Sequence, residues 1–499
     1  MKMKKLLAAL LAALLLAALA PASIFAEEET EEVVLRICNW EEYIDLGDWD
    51  EEEVIDLESG DIFGENSLVE DFEEWYYETY GIRVRVEYST FGTNEDLYNM
   101  LTIGDVYDLV CPSEYMIMKL MAEDQVLPLS EEFFDEENEN NYYIKGVSPY
   151  IRNIFETHEI NGVSWDKCAA GYMWGITGFV YNPDVVSEED ASTWKLMENT
   201  EYNRQITMKD NVRDSYFAAV GALKSDLLTS EEFLGREDYA EALQDEMNDV
   251  SEETVSQVQE YLQDVKENLY SFETDSGKAD MITGKVVANY QCSGDAVYTM
   301  DQAEEDEYYL NFAVPQESTN IYFDGWIMLK CGIGNDKAKQ HAAEAFINFI
   351  SRPDNVVRNM YYIGYTSVIS GGEDDGRVFE YLEWTYGAED DDETAVDYPV
   401  GYFFAGDEEN EDYVLTVPEE QLHRQLSAQY PSAEVIRRAS IMVYFNAEQN
   451  EIINRMWIRV RCFNILDVPV WVWIALAAVI TAGILFGIQR KIAKERQYR

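Results

Sequence analysis

The sequence is poor in histidine, in basic side chains and in paired cysteines. Its three histidines, His158, His341 and His423, lie far apart, so no histidine-built catalytic or metal site is expected. The six cysteines, Cys38, Cys111, Cys168, Cys292, Cys331 and Cys462, include no Cys-x-x-Cys pair, which excludes the common zinc and redox motifs. Single buried thiols are expected for most of them, and any disulfide connectivity stays open. No Gly-x-x-x-x-Gly-Lys-Ser/Thr loop occurs, so the chain is not itself an ATPase, and no solenoid period repeats. Basic residues number 36 against 98 acidic ones, a formal charge of −62. A surface of that sign excludes a nucleic-acid partner, which needs basic groups for phosphate. It favours the approach of cationic ligands, although much of the charge serves only as solvated surface. With 47% hydrophobic and 13% aromatic residues, the chain is no disordered acidic tail.

The two ends carry the compartment signals. Lys2, Lys4 and Lys5 precede an apolar Leu/Ala run to Ala20, with small residues at Ala22, Ser23 and Ala26. This is the pattern of a secretory signal over 1–26, and two cleavage points fit it. No cysteine stands near its end to take a lipid. Val468 to Ile488 is almost wholly apolar, the length of one membrane-spanning helix, with Trp471 and Trp473 at its start. The tail 489–499 is basic and is expected to be cytoplasmic. The reading is a single C-terminal anchor, with the intervening chain on the extracytoplasmic face of a bacterial membrane.

Between the ends, hydrophobic period alternates between strand and helix. Val33–Asn39 reads as a strand, followed by an acidic stretch, Asp45–Glu65, expected to be a surface insertion. Ser67 and Glu70 form a capping box before a helix over 68–80 that Gly81 ends. Strands are expected at Ile82–Tyr88 and Tyr107–Cys111, with helices opened by Thr93 and by Ser113. The same grammar returns at 172–181, over helices at roughly 214–226, 230–247 and 252–268, at 285–291, 293–302, 309–314 and 321–329, and in a helix over 338–350. Acidic segments at 373–392 and 407–412 read as loops. Strand-helix alternation with short turns gives βαβ units, an α/β class and a largely parallel sheet.

Ligands of open α/β sheets bind beyond the carboxyl ends of the strands. The segments there are Asn39-Trp40-Glu41-Glu42-Tyr43, Pro112-Ser113-Glu114-Tyr115, Lys209-Asp210-Asn211-Val212-Arg213-Asp214, Cys292-Ser293-Gly294-Asp295, Tyr322-Phe323-Asp324 and Gly364-Tyr365-Thr366-Ser367. Most set carboxylates beside aromatic rings. Carboxylates accept charge-assisted hydrogen bonds from ammonium groups, and ring faces pack on methylenes and attract the cation, so the mixture suits a slender polycation. Taken singly, each residue also has an ordinary role: Ser113 as a helix N-cap, Tyr365 as packing.

These segments, with Tyr107–Tyr115, Ile363-Gly364-Tyr365 and Tyr430–Glu434, resemble the spermidine/putrescine-binding proteins of bacterial polyamine ABC transporters over about 33–461. The resemblance implies a two-lobed periplasmic-binding-protein-like fold of type II with crossing hinge strands near 173–178, 321–325 and 366–370. Lobe 1 would comprise 33–175 and 324–368, and lobe 2 would comprise 176–323 and 369–463. It implies ligand contacts from Trp40, Glu42, Tyr43, Ser113 and Tyr115 in the first lobe, and from Asp214 and Asp295 in the second. Tyr322 would stack on the methylene chain, Asp324 would pair with an ammonium, and Tyr365 would complete the aromatic box. The implied partners are a polyamine, the permease subunits of the importer and the membrane, with no cofactor and no enzymatic activity. The chain departs from the family pattern at Glu41, at Asn211, where an acidic residue is expected with Asp210 one step earlier, and at Cys292, where an aromatic residue is expected. A glutamine near the end has no clear counterpart.

Two other readings compete. Adjacent Tyr361 and Tyr362 suggest ferric iron, although in a helix one of them would face the core. Paired carboxylates suggest a glycosidase, a signal nearly worthless in a chain this acidic.

Overall fold

The structure is a computed structural model and describes residues 32–50, 53–274, 276–372, 375–389, 391–462 and Thr481. The signal segment 1–26, the tail 489–499 and, Thr481 apart, the apolar stretch 468–488 lie outside the described residues. Among the described residues no helix is long and apolar enough to cross a membrane.

Two long strands organise the molecule. Ala169–Tyr181 and Thr319–Leu329 are buried along their whole length and run antiparallel, pairing from Ile321 with Ile176 to Ile327 with Ala169. Their near-continuous apolar character fits strands covered on both faces. On one side the sheet continues through Leu109–Val110, Val33–Trp40 and Val84–Phe91, which are parallel to one another. On the other it continues through Ala288–Cys292, Ile206–Lys209 and Ser271–Glu273, again mutually parallel. Two parallel triplets thus flank an antiparallel pair shared between them, the two-lobed α/β arrangement with crossing strands. Thr366 and Ser367 pair with Trp174 and Met173 as a third, short crossing segment.

The crossing pair is irregular at one place. Asp324 is opposite Met173 but Gly325 is opposite Gly171, which leaves Tyr172 as an extra residue. A bulge of this kind bends the strand and re-aims the neighbouring side chain. Here the residue beside it is Asp324.

Local signals decide most helix ends as expected. Ser67 and Glu70 form the capping box, Gly81 closes that helix at φ +68°, and the Thr93 hydroxyl caps Asn94–Ile103. Strand limits shift: the second strand is Val84–Phe91 and the third only Leu109–Val110. The stretch expected as one helix at 230–247 is two, Glu231–Leu234 and Tyr239–Met247. The segment expected as a loop at 373–392 contains the helix Arg377–Tyr386, whose Val378, Tyr381 and Leu382 are buried.

The acidic stretch 45–65 is no loose insertion. Trp49, Ile55, Leu57 and Ile62 are buried in the core, and so is Asp45. Arg358, buried in the helix Pro353–Ile363, forms an ion pair with Asp45, donates to the Asn66 carbonyl and lies 2.6 Å from Asp71. The charge count of this stretch conceals an apolar residue at every few positions, which is what docks it. Of the cysteines, Cys38, Cys111 and Cys168 are buried free thiols as expected, whereas Cys331 and Cys462 are exposed.

Candidate functional site

The site forms where the crossing strands pass between the lobes. The Asp324 carboxylate is 4% exposed and takes two hydrogen bonds from the first lobe. The Tyr43 hydroxyl donates to Oδ2 at 2.7 Å, and the Ser113 hydroxyl donates to Oδ1 at 2.7 Å. Ser113 sits at the N-terminus of the helix Glu114–Ala122 yet makes no side-chain cap; its hydroxyl serves Asp324 instead. Backbone pairing of Ser113 with Asp324, and of the Gly325 N–H with the Pro112 carbonyl at 3.1 Å, fixes the two segments together. Burial pushes the Asp324 carboxyl up to about 6; the two hydroxyls and the charge of Lys209 oppose that rise.

Rings enclose this carboxylate. Tyr43 meets Tyr365 edge to face with centroids 4.7 Å apart, and Tyr172 edge to face at 5.5 Å. The Tyr172 hydroxyl donates to the Tyr43 carbonyl at 2.7 Å, so the bulge residue holds the Tyr43 turn. Tyr322 is buried with its hydroxyl 3.4 Å from Ser293 Oγ. Tyr365 lies over Gly294, where an added Cβ would come within 2.3 Å of the ring. That close approach is what requires glycine at this position. Gln429 donates to the Gly364 carbonyl at 3.0 Å and secures the turn carrying Tyr365. Burial raises the hydroxyl pKa of Tyr43, Tyr322 and Tyr365 well above the ordinary value, with neighbouring negative charge adding to it. These hydroxyls therefore stay neutral, and that of Tyr43 donates to Asp324.

The second lobe contributes charge. Asp214, in the first turn of the helix Val212–Leu223, has its carboxylate 3.6 Å from the Lys209 ammonium. Asp295, in the first turn of Ser293–Glu304, is 3.3 Å from the Lys278 ammonium. Burial works against the Lys209 charge, but Asp214, Cys292, Asp295 and Tyr290 outweigh it and hold the group well above the usual lysine value. Asp324 feels Lys209, and both Tyr322 and Tyr365 feel Asp295, so the two halves share one electrostatic neighbourhood.

The structure therefore brings Tyr43, Ser113, Tyr322, Asp324 and Tyr365 together, with Asp214 and Asp295 joined to them through the Lys209 region. Tyr115 belongs to an adjacent network: its hydroxyl donates to Glu95 at 3.2 Å and the Arg213 guanidinium lies 4.8 Å from its ring. Trp40 packs on Phe91 at 4.7 Å, with its indole N–H buried and unpartnered among the described residues. Glu42 is exposed in a left-handed turn at φ +53°, and its charge acts on Tyr362 at the surface. It has no bond to the Asp324 group among the described residues.

Asn211 serves as an N-cap: its Oδ1 accepts from the backbone N–H of Arg213 and Asp214. Asp210 turns away to Arg461 at 2.7 Å. Tyr361 and Tyr362 both face out, 41% and 43% exposed, so neither takes the core side expected of one of them.

Sequence reasoning passed over three residues. Lys209 is the last residue of its strand, where the strand-end rule points, but its positive charge does not mark it as a contact for a cation. Glu114, fully buried and pushed up to about 8 by burial, accepts the Phe323 N–H at 3.1 Å beneath the site. Tyr172 could not be singled out, because only the bulge distinguishes it within an apolar strand.

A family model described as bacterial extracellular solute-binding protein matches residues 67–378. The chain is 23% identical over 292 residues to the putrescine-binding periplasmic protein PotF of Escherichia coli strain K12, covering 57% of this chain and 71% of that one. It is 22% identical over 284 residues to the putrescine-binding periplasmic protein SpuD of Pseudomonas aeruginosa, covering 54% and 68%. Among solved structures it is similar to the spermidine/putrescine ABC transporter substrate-binding protein PotD of Streptococcus pneumoniae, with a TM-score of 0.53 and 21% identity over 86% of this chain and 98% of that one. The TpPotD lipoprotein of Treponema pallidum gives 0.55 and 18% over 86% and 99%. The resemblance to spermidine/putrescine-binding proteins read from the strand ends is thus borne out in sequence and in fold. With crossing strands shared by two lobes and a family model spanning most of both, this chain belongs to the bacterial extracellular solute-binding proteins.

Proposed function

We propose that the protein is the ligand-binding component of a polyamine ABC importer, working outside the cell and tethered to the membrane by the stretch 468–488. One observation carries the ligand class: a buried carboxylate, Asp324, is ringed by Tyr43, Tyr322 and Tyr365 and lies within the field of the Lys209 ammonium. A linear amine would set one end on Asp324 and its methylenes against the rings. The putrescine-binding relatives support the same class.

In this reading the lobes are 33–175 with 324–368, and 176–323 with 369–463, and they close over the ligand. Ligand bound to both lobes would shift the population toward the closed form, which the permease recognises. Trp40 and Tyr115 line the outer cleft of the first lobe, Asp214 and Asp295 the second, and the anchor keeps the loaded protein near its permease.

The test is a thermal-shift series on the full-length chain with spermidine, putrescine, amino acids, sugars and ferric iron. A melting temperature that rises with polyamine concentration supports the proposal. A rise with another class and none with polyamines overturns it.

A further inference from the structure

Lys209 stands where a ligand would be expected to reach. It ends the strand Ile206–Lys209 at the carboxyl edge of the second lobe, with its ammonium 3.6 Å from Asp214 and against the sulfur of Cys292. The other charged groups around it are Asp295, Asp324 and Glu273. Asp295 also has Lys278 at 3.3 Å. Glu273 is taken up by the Asn289 amide at 2.9 Å and the Gly277 N–H at 2.7 Å. The second-lobe carboxylates thus already have cationic or N–H partners. Among the described residues, the side chains that bond Asp324 directly are the hydroxyls of Tyr43 and Ser113.

We infer that Lys209 is a resident ammonium: it fills the second-lobe seat that the far amine of a diamine would take. The cleft then accepts one ammonium of its ligand, at Asp324, and an uncharged group at the other end. This rests on the amine reading of the cleft and narrows it. A second ammonium brought beside Lys209 meets a like charge in a low-dielectric site, which costs far more than the same encounter in water. Discrimination by such a repulsive element is a recognised route to specificity. Replacing Lys209 by a neutral side chain of similar reach leaves Asp214 uncompensated and turns the seat over to the ligand.

The probes are putrescine and N-acetylputrescine, which share a chain and differ in the charge at one end. Each is titrated calorimetrically into the full-length protein and its Lys209→Met variant. The wild type is expected to bind N-acetylputrescine at least as tightly as putrescine, and Lys209→Met to shift the ratio of the two affinities at least tenfold toward putrescine. A wild type that prefers putrescine, or a ratio that moves less than tenfold or the other way, overturns the role of Lys209 and leaves the amine reading standing. Binding of neither compound to either protein overturns the amine reading and this inference with it. If circular dichroism shows that Lys209→Met does not fold, Lys209→Gln carries the same comparison, and the wild-type order of affinities is decisive by itself.

Discussion

Tyr43 and Asp324 lie 281 residues apart along the chain and meet in a hydrogen bond of 2.7 Å. The bond ties the turn after the first strand to the second crossing strand, and Tyr172, the unpaired residue of the bulge, holds the same turn from beneath through the Tyr43 carbonyl. A buried carboxylate is thereby presented with its two oxygens satisfied by hydroxyls and, among the described residues, without a directly bonded cation. The arrangement has consequences that can be measured.

Asp324→Asn keeps the shape and removes the charge. Hydrogen bonds to charged groups contribute about 1.5–3 kcal/mol. The variant should bind spermidine or putrescine at least tenfold more weakly, equivalent to about 1.4 kcal/mol. Isothermal calorimetry that returns an unchanged dissociation constant would remove Asp324 from the ligand's contacts.

The same carboxyl makes stability depend on pH with a definite sign. Its folded value of about 6 lies above the ordinary 3.8, so its contribution to the ligand-free protein is fully present below about pH 4 and is lost as the pH rises through 6. The shift corresponds to about 3 kcal/mol. Denaturant unfolding of wild type and Asp324→Asn should show the variant gaining on the wild type between pH 4 and 7. Ligand binding has the opposite slope, because the ammonium needs the ionised form: affinity should strengthen from pH 5 to 7. A stability difference that is flat in pH contradicts this account.

Ser113→Ala deletes one of the two hydroxyls that stabilise the Asp324 anion. Because Ser113 makes no side-chain cap for its helix, the substitution should cost little helix stability. The expected result is a binding-pH midpoint displaced upward from that of the wild type, followed by titrating affinity against pH. A large loss of stability with an unmoved midpoint would show Ser113 to be structural only.

Arg358 clamps the acidic stretch after the first strand through Asp45, Asp71 and the Asn66 carbonyl. Arg358→Met leaves the buried Asp45 without its ion-pair partner. Removing one member of a buried pair costs about 3–5 kcal/mol. Guanidinium unfolding should register that loss, and an effect below about 1 kcal/mol would mean that the stretch is held by its apolar residues alone.

Gly294→Ala places a methyl within 2.3 Å of the Tyr365 ring. Overpacking of this kind costs about 1–3 kcal/mol. The ring should be driven from its edge-to-face contact with Tyr43, and polyamine binding should weaken while Asp324→Asn and Gly294→Ala remain distinguishable by their pH profiles. A Gly294→Ala protein of unchanged affinity would show that the Tyr365 position does not matter to the ligand.

Much of this was legible along the chain because its causes are local. Ser67 with Glu70, Thr93 and Gly81 set helix ends through bonds spanning a few residues, and the sequence marks them. Runs such as Ile321–Leu329 declare a strand buried on both faces. The strand-end rule pointed to Tyr43 and Ser113, since chain direction within a parallel sheet decides which turns converge, whereas Tyr322 and Asp324 lie inside the antiparallel crossing strand Thr319–Leu329. In the stretch 45–65 the charge count hid Trp49, Ile55, Leu57 and Ile62, and Glu42 is exposed in a left-handed turn.

The sequence by itself determined the α/β class and the set of carboxylates and rings from which a cationic site is built, because composition and short-range periodicity are properties of the chain; the two lobes were implied by the family resemblance. The tertiary structure alone decided which of those groups meet. The bulge that leaves Tyr172 unpaired, the Ser113 hydroxyl turned from its helix to Asp324, and the Lys209 ammonium set against the Cys292 sulfur are all contacts between residues far apart in sequence. Burial and the fields of distant charges fix what such groups do, and neither is written in any local stretch of residues.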